Sequence, residues 1–194
     1  MTDAPHTSTP PDALPLTAAQ RGLWFAQRLD PANPSYNIAE YADIRGGMNP
    51  DLLRRAVRHT AAEMEALRST FGERDGIPFQ RVHELRPFGE AGEGHPVGEA
   101  HPVSEHAHIS VPLVDLSAYD DPRAEAVRRM TRRLAEPADL TAGPLVGITL
   151  FRLSAEHHLF HQQVHHLALD GYGAVLALSR IAEVYTALTI TPDT

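Results

Sequence analysis

The sequence predicts an α/β or α+β sandwich, in which helices pack against a mixed sheet. Two predicted strands, 145–153 and 157–166, are separated by Ser154-Ala155-Glu156, and this spacing is typical of two strands joined by a short turn. The stretch 172–188 follows and places apolar residues at helical spacing, so one of its faces should pack on that sheet. Strands that alternate with helices, some of them in hairpins, indicate a layered fold of both element types.

The first third of the chain shows the same alternation. Thr17 is placed to cap a short amphipathic helix that ends near Asp30, and an aromatic and β-branched strand is predicted over 36–41. Asn49 and Pro50 mark the start of a second helix, because asparagine is a frequent N-cap and proline suits the first helical position. A helix, a strand and a second helix are therefore expected in this order.

The middle of the chain holds a hairpin, a strand and a basic helix. Asp75-Gly76 predicts a tight turn between strands over 69–71 and 78–82. A further strand is expected over 109–116, followed by an arginine-rich helix over 122–135. The outer face of this helix is expected to be solvated, and binding of an acidic carrier protein is the alternative.

Two stretches fall outside the predicted elements. Residues 1–13 are rich in proline, threonine and serine and are expected to form a disordered leader. Residues 89–103 contain a tandem hexapeptide, and we expect a flexible loop because two copies of six residues are too few for a repeat fold. One folded domain over 14–194 is therefore predicted.

Composition excludes several classes of protein. The chain has 194 residues and a net charge of −8, so it lacks the basic character expected of a nucleic-acid-binding protein. The sequence shows neither an uninterrupted apolar run that approaches a membrane span nor a signal peptide, which predicts a cytoplasmic protein without a membrane partner. Since the chain has no cysteine, any reactive sulfur in its chemistry must come from a partner or a ligand.

Five of the 12 histidines lie in one predicted strand. In a strand, His157, His161 and His165 share one face, while His158 and His166 share the other. Positions four apart in a strand are separated by about 13 Å, too far to bind one ion, so no metal site is predicted. The first three of these histidines along the chain are expected to decorate an exposed edge strand.

The end of that strand has features of an acyl-transfer site. His166 stands before a helix N-terminus, whose partial positive charge favours a neutral imidazole and stabilises an oxyanion. Gly171 would allow a sharp turn and a close approach of the backbone to a ligand. Asp170 would need a partner such as an arginine to remain charged beside a buried site. A base, a turn and a helix dipole together favour acyl transfer to an amine or a hydroxyl.

Four stretches match motifs that occur together in one family. Residues 165–171 (HHLALDG) fit the pattern HHxxxDG, and residues 16–24 (LTAAQRGLW) are similar to an opening motif of the form S-x-A-Q-x-R-L-W. Residues 65–71 (EALRSTF) and 142–145 (AGPL) are similar to two further motifs of the same family. Over residues 14–188 the chain therefore resembles condensation domains of nonribosomal peptide synthetases.

The resemblance implies one half of a chloramphenicol-acetyltransferase-like pseudo-dimer, without the C-terminal subdomain. It implies an amide bond formed between a donor acyl thioester on an upstream carrier protein and an aminoacyl acceptor on a downstream carrier protein, next to an adenylation domain. Phosphopantetheine arms of the carriers would enter the site, and no cofactor would be bound covalently. His166 would be catalytic, as a base or by positioning the amine, with His165, Asp170, Gly171 and Arg68 as motif and support residues. The fragment alone would have little activity.

The chain departs from this family at several positions. Glu63 and Met64 stand where the family usually has Arg-His, and Gly147 stands where many relatives have arginine. Asp170 would lack the arginine that the second half supplies in relatives. Two alternatives remain open: a non-catalytic module that docks a carrier protein or dimerises, and a fragment of a coenzyme A-dependent acyltransferase.

Overall fold

The computed structural model describes residues 13–85, 106–107, 109–141 and 145–191. The predicted leader (apart from Ala13), the predicted loop over 89–103 and residues 142–144 lie outside the described residues. The strands are β1 (Ala13–Pro15), β2 (Asn37–Arg45), β3 (Ser69–Arg74), β4 (Ile77–Val82), β5 (Glu84–Leu85), β6 (His106–Ala107), β7 (Leu113–Asp115), β8 (Val146–Ser154) and β9 (His157–His165). The helices are α1 (Ala18–Leu29), α2 (Pro50–Glu63), α3 (Pro122–Leu134) and α4 (Gly171–Ile190), with a 3₁₀ turn over Glu65–Arg68.

The central sheet has four strands in the order β2-β9-β8-β7. Strands β2 and β8 are both antiparallel to β9, with Asn37 opposite His165 and Val146 opposite Val164, whereas β7 is parallel to β8. A smaller sheet has the order β1-β4-β3, and β5 pairs in parallel with β6. The predicted mixed α+β architecture is therefore confirmed.

Helices cover both faces of the central sheet. Helices α2 and α4 share a core with one face, where Leu53 and Ile181 meet Phe160. Helix α3 packs on the opposite face, where Met130 meets Leu159. Alternate residues of β8 and β9 supply the two cores, as the two-residue period of a strand requires. Burial of each such side chain contributes about 2 kcal/mol, so both layers stabilise the sheet.

Local signals account for several element boundaries. Thr17 and Gln20 form a capping box at the start of α1, and the Asn49 side chain caps α2 as predicted. The turn between β3 and β4 has positive φ at both Asp75 (51°) and Gly76 (76°), which is the backbone of the predicted tight hairpin. The observed strand is shorter than the one predicted over 109–116, because only Leu113–Asp115 (β7) pair with a neighbouring strand.

The expectation of an exposed histidine-bearing edge strand is wrong. Strand β9 lies between β2 and β8, so His158 and His161 are buried. Burial lowers the pKa of His158 and lowers the pKa of His161 to about 4. His157 is half-buried at the strand end, where its Nε2 lies 2.9 Å from Asp43 Oδ1. The predicted alternation holds for His157, His158, His161 and His165 within β9, whereas His166 lies beyond the end of the strand.

Helix α4 is long and apolar enough to cross a membrane by length and composition, with a mean hydropathy of 1.3. Arg180 and Glu183 interrupt the apolar sequence of the helix, so the expectation that the sequence has no uninterrupted apolar run of that length is not contradicted. The helix nevertheless packs on the sheet and on α2 through Ala177, Ile181 and Val184, as a core helix does. Its outer face exposes Tyr172 and Val175. One helix of this kind is weak evidence for a membrane span.

Candidate active site

The candidate site lies where β9 ends and the chain turns into α4. The backbone N–H of His165 donates to Leu145 O at 2.9 Å, and that of His166 donates to Tyr36 O at 2.8 Å. Ala168 N–H then donates back to His165 O at 2.9 Å and closes a turn. The backbone at the two histidines is thus held by the chain on both sides of β9.

His165 is a buried, neutral residue that holds this turn. The N–H of Leu167 donates to its Nδ1 at 3.1 Å, so the ring proton must be on Nε2. Nε2 lies 3.2 Å from Gln27 Oε1 and donates to it. Burial, with a smaller contribution from the neighbouring His166, lowers the pKa of His165 to about 4, which keeps the ring uncharged at neutral pH. Both ring nitrogens are engaged within the protein.

One face of α1 packs against the turn that contains the two histidines. Gln20, Trp24 and Gln27 follow one another at helical spacing. Gln20 Nε2 donates to Leu167 O at 3.3 Å, and the fully buried Trp24 packs in the same cluster as Leu167. Gln27 also donates from Nε2 to the carbonyl oxygens of Asp30, Pro31 and Asn33. Side chains of the opening motif (16–24), together with Gln27, therefore support the histidine turn.

The two glutamines were missed as site residues by sequence reasoning. The sequence did contain a signal for them, because two side-chain amides on the apolar side of an amphipathic helix require buried hydrogen-bond partners. Gln27 is 3% exposed, so its bonds to backbone and to His165 satisfy a buried group. The partners themselves lie far away in sequence and could not be named from the pattern.

His166 differs from His165 in its surroundings. Its side chain is half-buried, and among the residues that the structure describes it makes no side-chain hydrogen bond. Leu167 and Leu169 on either side of Ala168 are buried and anchor the turn in the core. The His166 imidazole is therefore held in place by its backbone while its ring nitrogens remain available to a ligand.

Asp170 is the N-cap of α4 rather than the partner of an arginine. Its Oδ1 accepts from Gly173 N–H at 2.7 Å, and the residue is exposed. Within the described part of the chain it forms no ion pair. The Asp170 carboxylate is thus hydrogen-bonded and exposed without an arginine among the described residues, and its pairing with an arginine of a second half stays a prediction.

Side chains of the turn pack closely against Gly173 in the first turn of α4. A Cβ at Gly173 would lie 2.9 Å from Leu169 Cδ2 and 3.2 Å from Asp170 Oδ1. A Cβ at Gly171 would meet nothing within 4 Å, and its φ lies outside the left-handed region. The prediction that Gly171 permits a sharp turn is therefore wrong, while close approach of a ligand to Gly171 stays a prediction.

Arg68 supports a neighbouring junction and makes no bond to the histidine turn. Its Nε donates to Ala61 O at 3.1 Å, and its Nη1 donates to His83 O at 2.6 Å. These bonds join the end of α2 to the end of β4. The adjacent Leu67 is fully buried and packs in one cluster with Leu169, so any effect of Arg68 on the turn is indirect.

The two departures from the family motifs have local compensations. Glu63 forms a two-point ion pair with Arg180 of α4, with N···O distances of 2.7 and 2.8 Å, and this holds the pKa of Glu63 down at about 2. Met64 packs beside the cluster that contains Leu67. At Gly147, an added Cβ would lie 3.1 Å from Arg133 Nη2, so a guanidinium from α3 occupies the space next to this glycine.

No group of three or more histidine, aspartate or glutamate side chains in the described ranges could hold a metal ion. The turn offers an imidazole and backbone amides. Gly171 N–H and Tyr172 N–H belong to the first turn of α4 and have no acceptor among the described residues. These groups suit a substrate with a developing negative charge on oxygen.

Comparison with known proteins assigns the family. A family model described as Condensation domain matches residues 11–93 and 90–191. The chain belongs to the condensation-domain family. Related proteins include an isonitrile lipopeptide synthase of Streptomyces coeruleorubidus, 39% identical over 180 residues that cover 92% of this chain and 11% of the relative. A dimodular nonribosomal peptide synthase of Bacillus subtilis (strain 168) is 36% identical and is matched over 89% of this chain and 6% of its own length.

A solved condensation domain has the same architecture. The starter condensation domain of rhizomide synthetase RzmA, in a mutant form in complex with C8-CoA and Leu-SNAC, is 32% identical with a TM-score of 0.78. The match covers 93% of this condensation-domain chain and 36% of the solved chain. The fold of a chloramphenicol-acetyltransferase-like half is thereby confirmed. The chain spans well under half of the proteins that it matches.

Condensation domains catalyse amide-bond formation in nonribosomal peptide synthetases. They act on carrier-bound phosphopantetheine substrates, and they work with carrier and adenylation domains in multidomain synthetases. These properties are those of the family, and their extension to this chain is a proposal.

Proposed function

We propose that this chain is the N-terminal half of a condensation domain and that His166 serves amide-bond formation in secondary-metabolite biosynthesis. The observation that carries the proposal is the contrast between the two histidines. Both ring nitrogens of His165 are bonded within the protein, whereas the half-buried His166 ring has no hydrogen-bond partner in the described ranges. A fixed backbone with an available imidazole is what proton transfer or amine positioning requires.

In the proposed reaction the amine nitrogen of the acceptor attacks the carbonyl carbon of the donor thioester. The C–N bond forms, the C–S bond breaks, and the proton lost by nitrogen ends on the departing sulfur. His166 accepts this proton or orients the amine. The amides of Gly171 and Tyr172 are candidate donors to the carbonyl oxygen, because Asp170 engages only the Gly173 N–H of this helix turn.

The sulfur comes from outside the chain, which has no cysteine. We assign it to the phosphopantetheine arm of an upstream donor carrier protein, with a second arm on a downstream acceptor carrier that follows an adenylation domain. The site is proposed to be completed by a C-terminal subdomain that packs on this half. The exposed apolar side chains of Tyr172, Val175 and Leu176, next to the turn, support such packing. All of these steps are expected in the cytoplasm.

A condensation assay with loaded donor and acceptor carriers tests the proposal, with the product measured by mass spectrometry. The chain alone is expected to form little product, and the complete condensation domain of the parent protein to turn over. Replacement of His166 by alanine in the complete domain should lower the rate by about 10²–10⁴-fold. Full turnover by the chain alone would contradict the half-domain assignment, and an unchanged rate in the variant would contradict the role of His166.

A further inference from the structure

A cavity of about 270 Å³ lies on the α3 side of the central sheet, next to His165. Its walls include Arg133 of α3, Gly147 of β8, and Gln163 and His165 of β9. His166 follows the end of β9 and is not among the residues that line this cavity. The cavity is therefore a separate space that adjoins the candidate site through the backbone of the two histidines.

Arg133 presents its guanidinium to this cavity without a partner among the described residues. Nη2 would lie 3.1 Å from a Cβ at position 147, so the guanidinium reaches over β8 because Gly147 has no side chain. Elsewhere on α3, Arg128 and Arg129 share the carboxylate of Glu125. Arg133 is half-buried and makes no side-chain hydrogen bond or ion pair among the described residues. A cation that is partly removed from water and unpaired is unfavourable, and an anionic ligand would relieve this cost.

Gln163 adds a second unsatisfied group. Its Nε2 donates to Arg133 O at 3.3 Å, while its Oε1 is inaccessible to solvent and has no hydrogen-bond partner. The cavity thus offers planar guanidinium donors, while the Gln163 acceptor is closed to solvent in this structure. Glu136 and Asp139 also line it. Their charges would disfavour any anion that does not reach the guanidinium directly.

We propose that Arg133 binds an oxyanion, either a carboxylate or a phosphate, of a ligand that enters this cavity. The fork of guanidinium donors matches both oxyanions with two parallel hydrogen bonds. Under the proposed function, on which this part rests, the phosphate would be that of a phosphopantetheine arm. The carboxylate would be that of an acidic side chain on the acceptor. Anion binding itself does not depend on condensation activity.

The test is an NMR titration of the Arg133 Nε–H signal at constant ionic strength. The probes are inorganic phosphate, acetate, 4′-phosphopantetheine and pantetheine. Saturable shifts are expected with phosphate or acetate, and a preference for phosphopantetheine over pantetheine would assign the phosphate source. Comparable binding of pantetheine, with tighter binding of acetate than phosphate, would assign the carboxylate source. Shifts that never saturate with any probe would overturn the proposal.

Three variants separate this site from general electrostatic attraction, and their binding is followed on the backbone N–H signal of Gln163, which lines the cavity and is present in all of them. Arg133→Gln should weaken binding about tenfold or more, while Arg132→Gln, at an exposed arginine outside the cavity, should change it less than about twofold. Gly147→Ala keeps every charge but displaces the guanidinium and should also weaken binding. Equal losses in the Arg133 and Arg132 variants would refute the site. His166→Ala should bind anions normally, so a failure of condensation chemistry is distinguishable from a failure of this site.

Discussion

A fall in pH from 7 to 5 is expected to destabilise the fold through His161 and His165. Burial lowers the pKa of each imidazole from 6.5 to about 4, and each residue is 2% exposed. The unfolded chain takes up protons near pH 6.5, whereas the folded chain does so only near pH 4. The stabilising contribution is therefore complete above pH 6.5 and is lost as the pH falls towards 4.

The expected magnitude follows from the size of the pKa change. A pKa lowered from 6.5 to about 4 corresponds to about 3 kcal/mol per imidazole, of which about 2 kcal/mol is lost by pH 5. Together the two histidines should lower the free energy of unfolding by about 4 kcal/mol, a large share of the stability of a typical domain. Glu63, whose pKa is lowered to about 2, contributes only below about pH 4.5.

Urea unfolding followed by circular dichroism at pH 7, 6 and 5 measures this loss. His161→Phe removes one titrating group and keeps an aromatic ring beside Phe151, so its loss between pH 7 and 5 should be about 2 kcal/mol smaller. The matched control is His59→Gln, at an exposed position of α2, which should lose as much as the unmodified chain. Equal stability at pH 7 and 5, or an unchanged loss in His161→Phe, would refute the reasoning.

Three further predictions concern the support of the turn. Gly173→Ala should lower the melting temperature, while Gly171→Ala should leave it unchanged; equal effects in thermal unfolding would contradict the assignment. Gln27→Leu should lower the free energy of urea unfolding by about 2–4 kcal/mol, since it leaves His165 and several carbonyl groups without a donor or acceptor, and a loss below about 1 kcal/mol would count against it. Arg68→Met should cost about 1–3 kcal/mol in the same experiment by freeing two backbone carbonyls, and no loss would show that these bonds are not stabilising.

Elements with strong local signals were predictable from the sequence. The strand pair β8–β9 and the hairpin at Asp75-Gly76 were predicted because periodicity and turn chemistry act over a few residues. The N-caps Thr17 and Asn49 were predicted for the same reason. These features depend on neighbours in the chain, which the sequence displays directly.

The parts that failed depend on partners far away in sequence. Burial of His158 and His161 follows from β2 pairing with β9, a contact that spans more than 100 positions and has no local signal. The role expected of Gly171 belongs to Gly173 because Leu169 packs against it, which requires knowledge of the side-chain packing of the turn. The bonds of Gln27 to His165 are likewise a product of the tertiary fold.

The measurement that tests the central claim most directly compares His166→Ala with His165→Gln in the complete condensation domain. Single-turnover amide-bond formation and the free energy of unfolding are measured for both variants. We predict that His166→Ala loses about 10²–10⁴-fold in rate with its stability nearly unchanged, because its ring makes no hydrogen bond in the described structure. His165→Gln should instead lose stability, since both of its ring nitrogens are bonded. A normal rate in His166→Ala would contradict the assignment of the chemistry to His166.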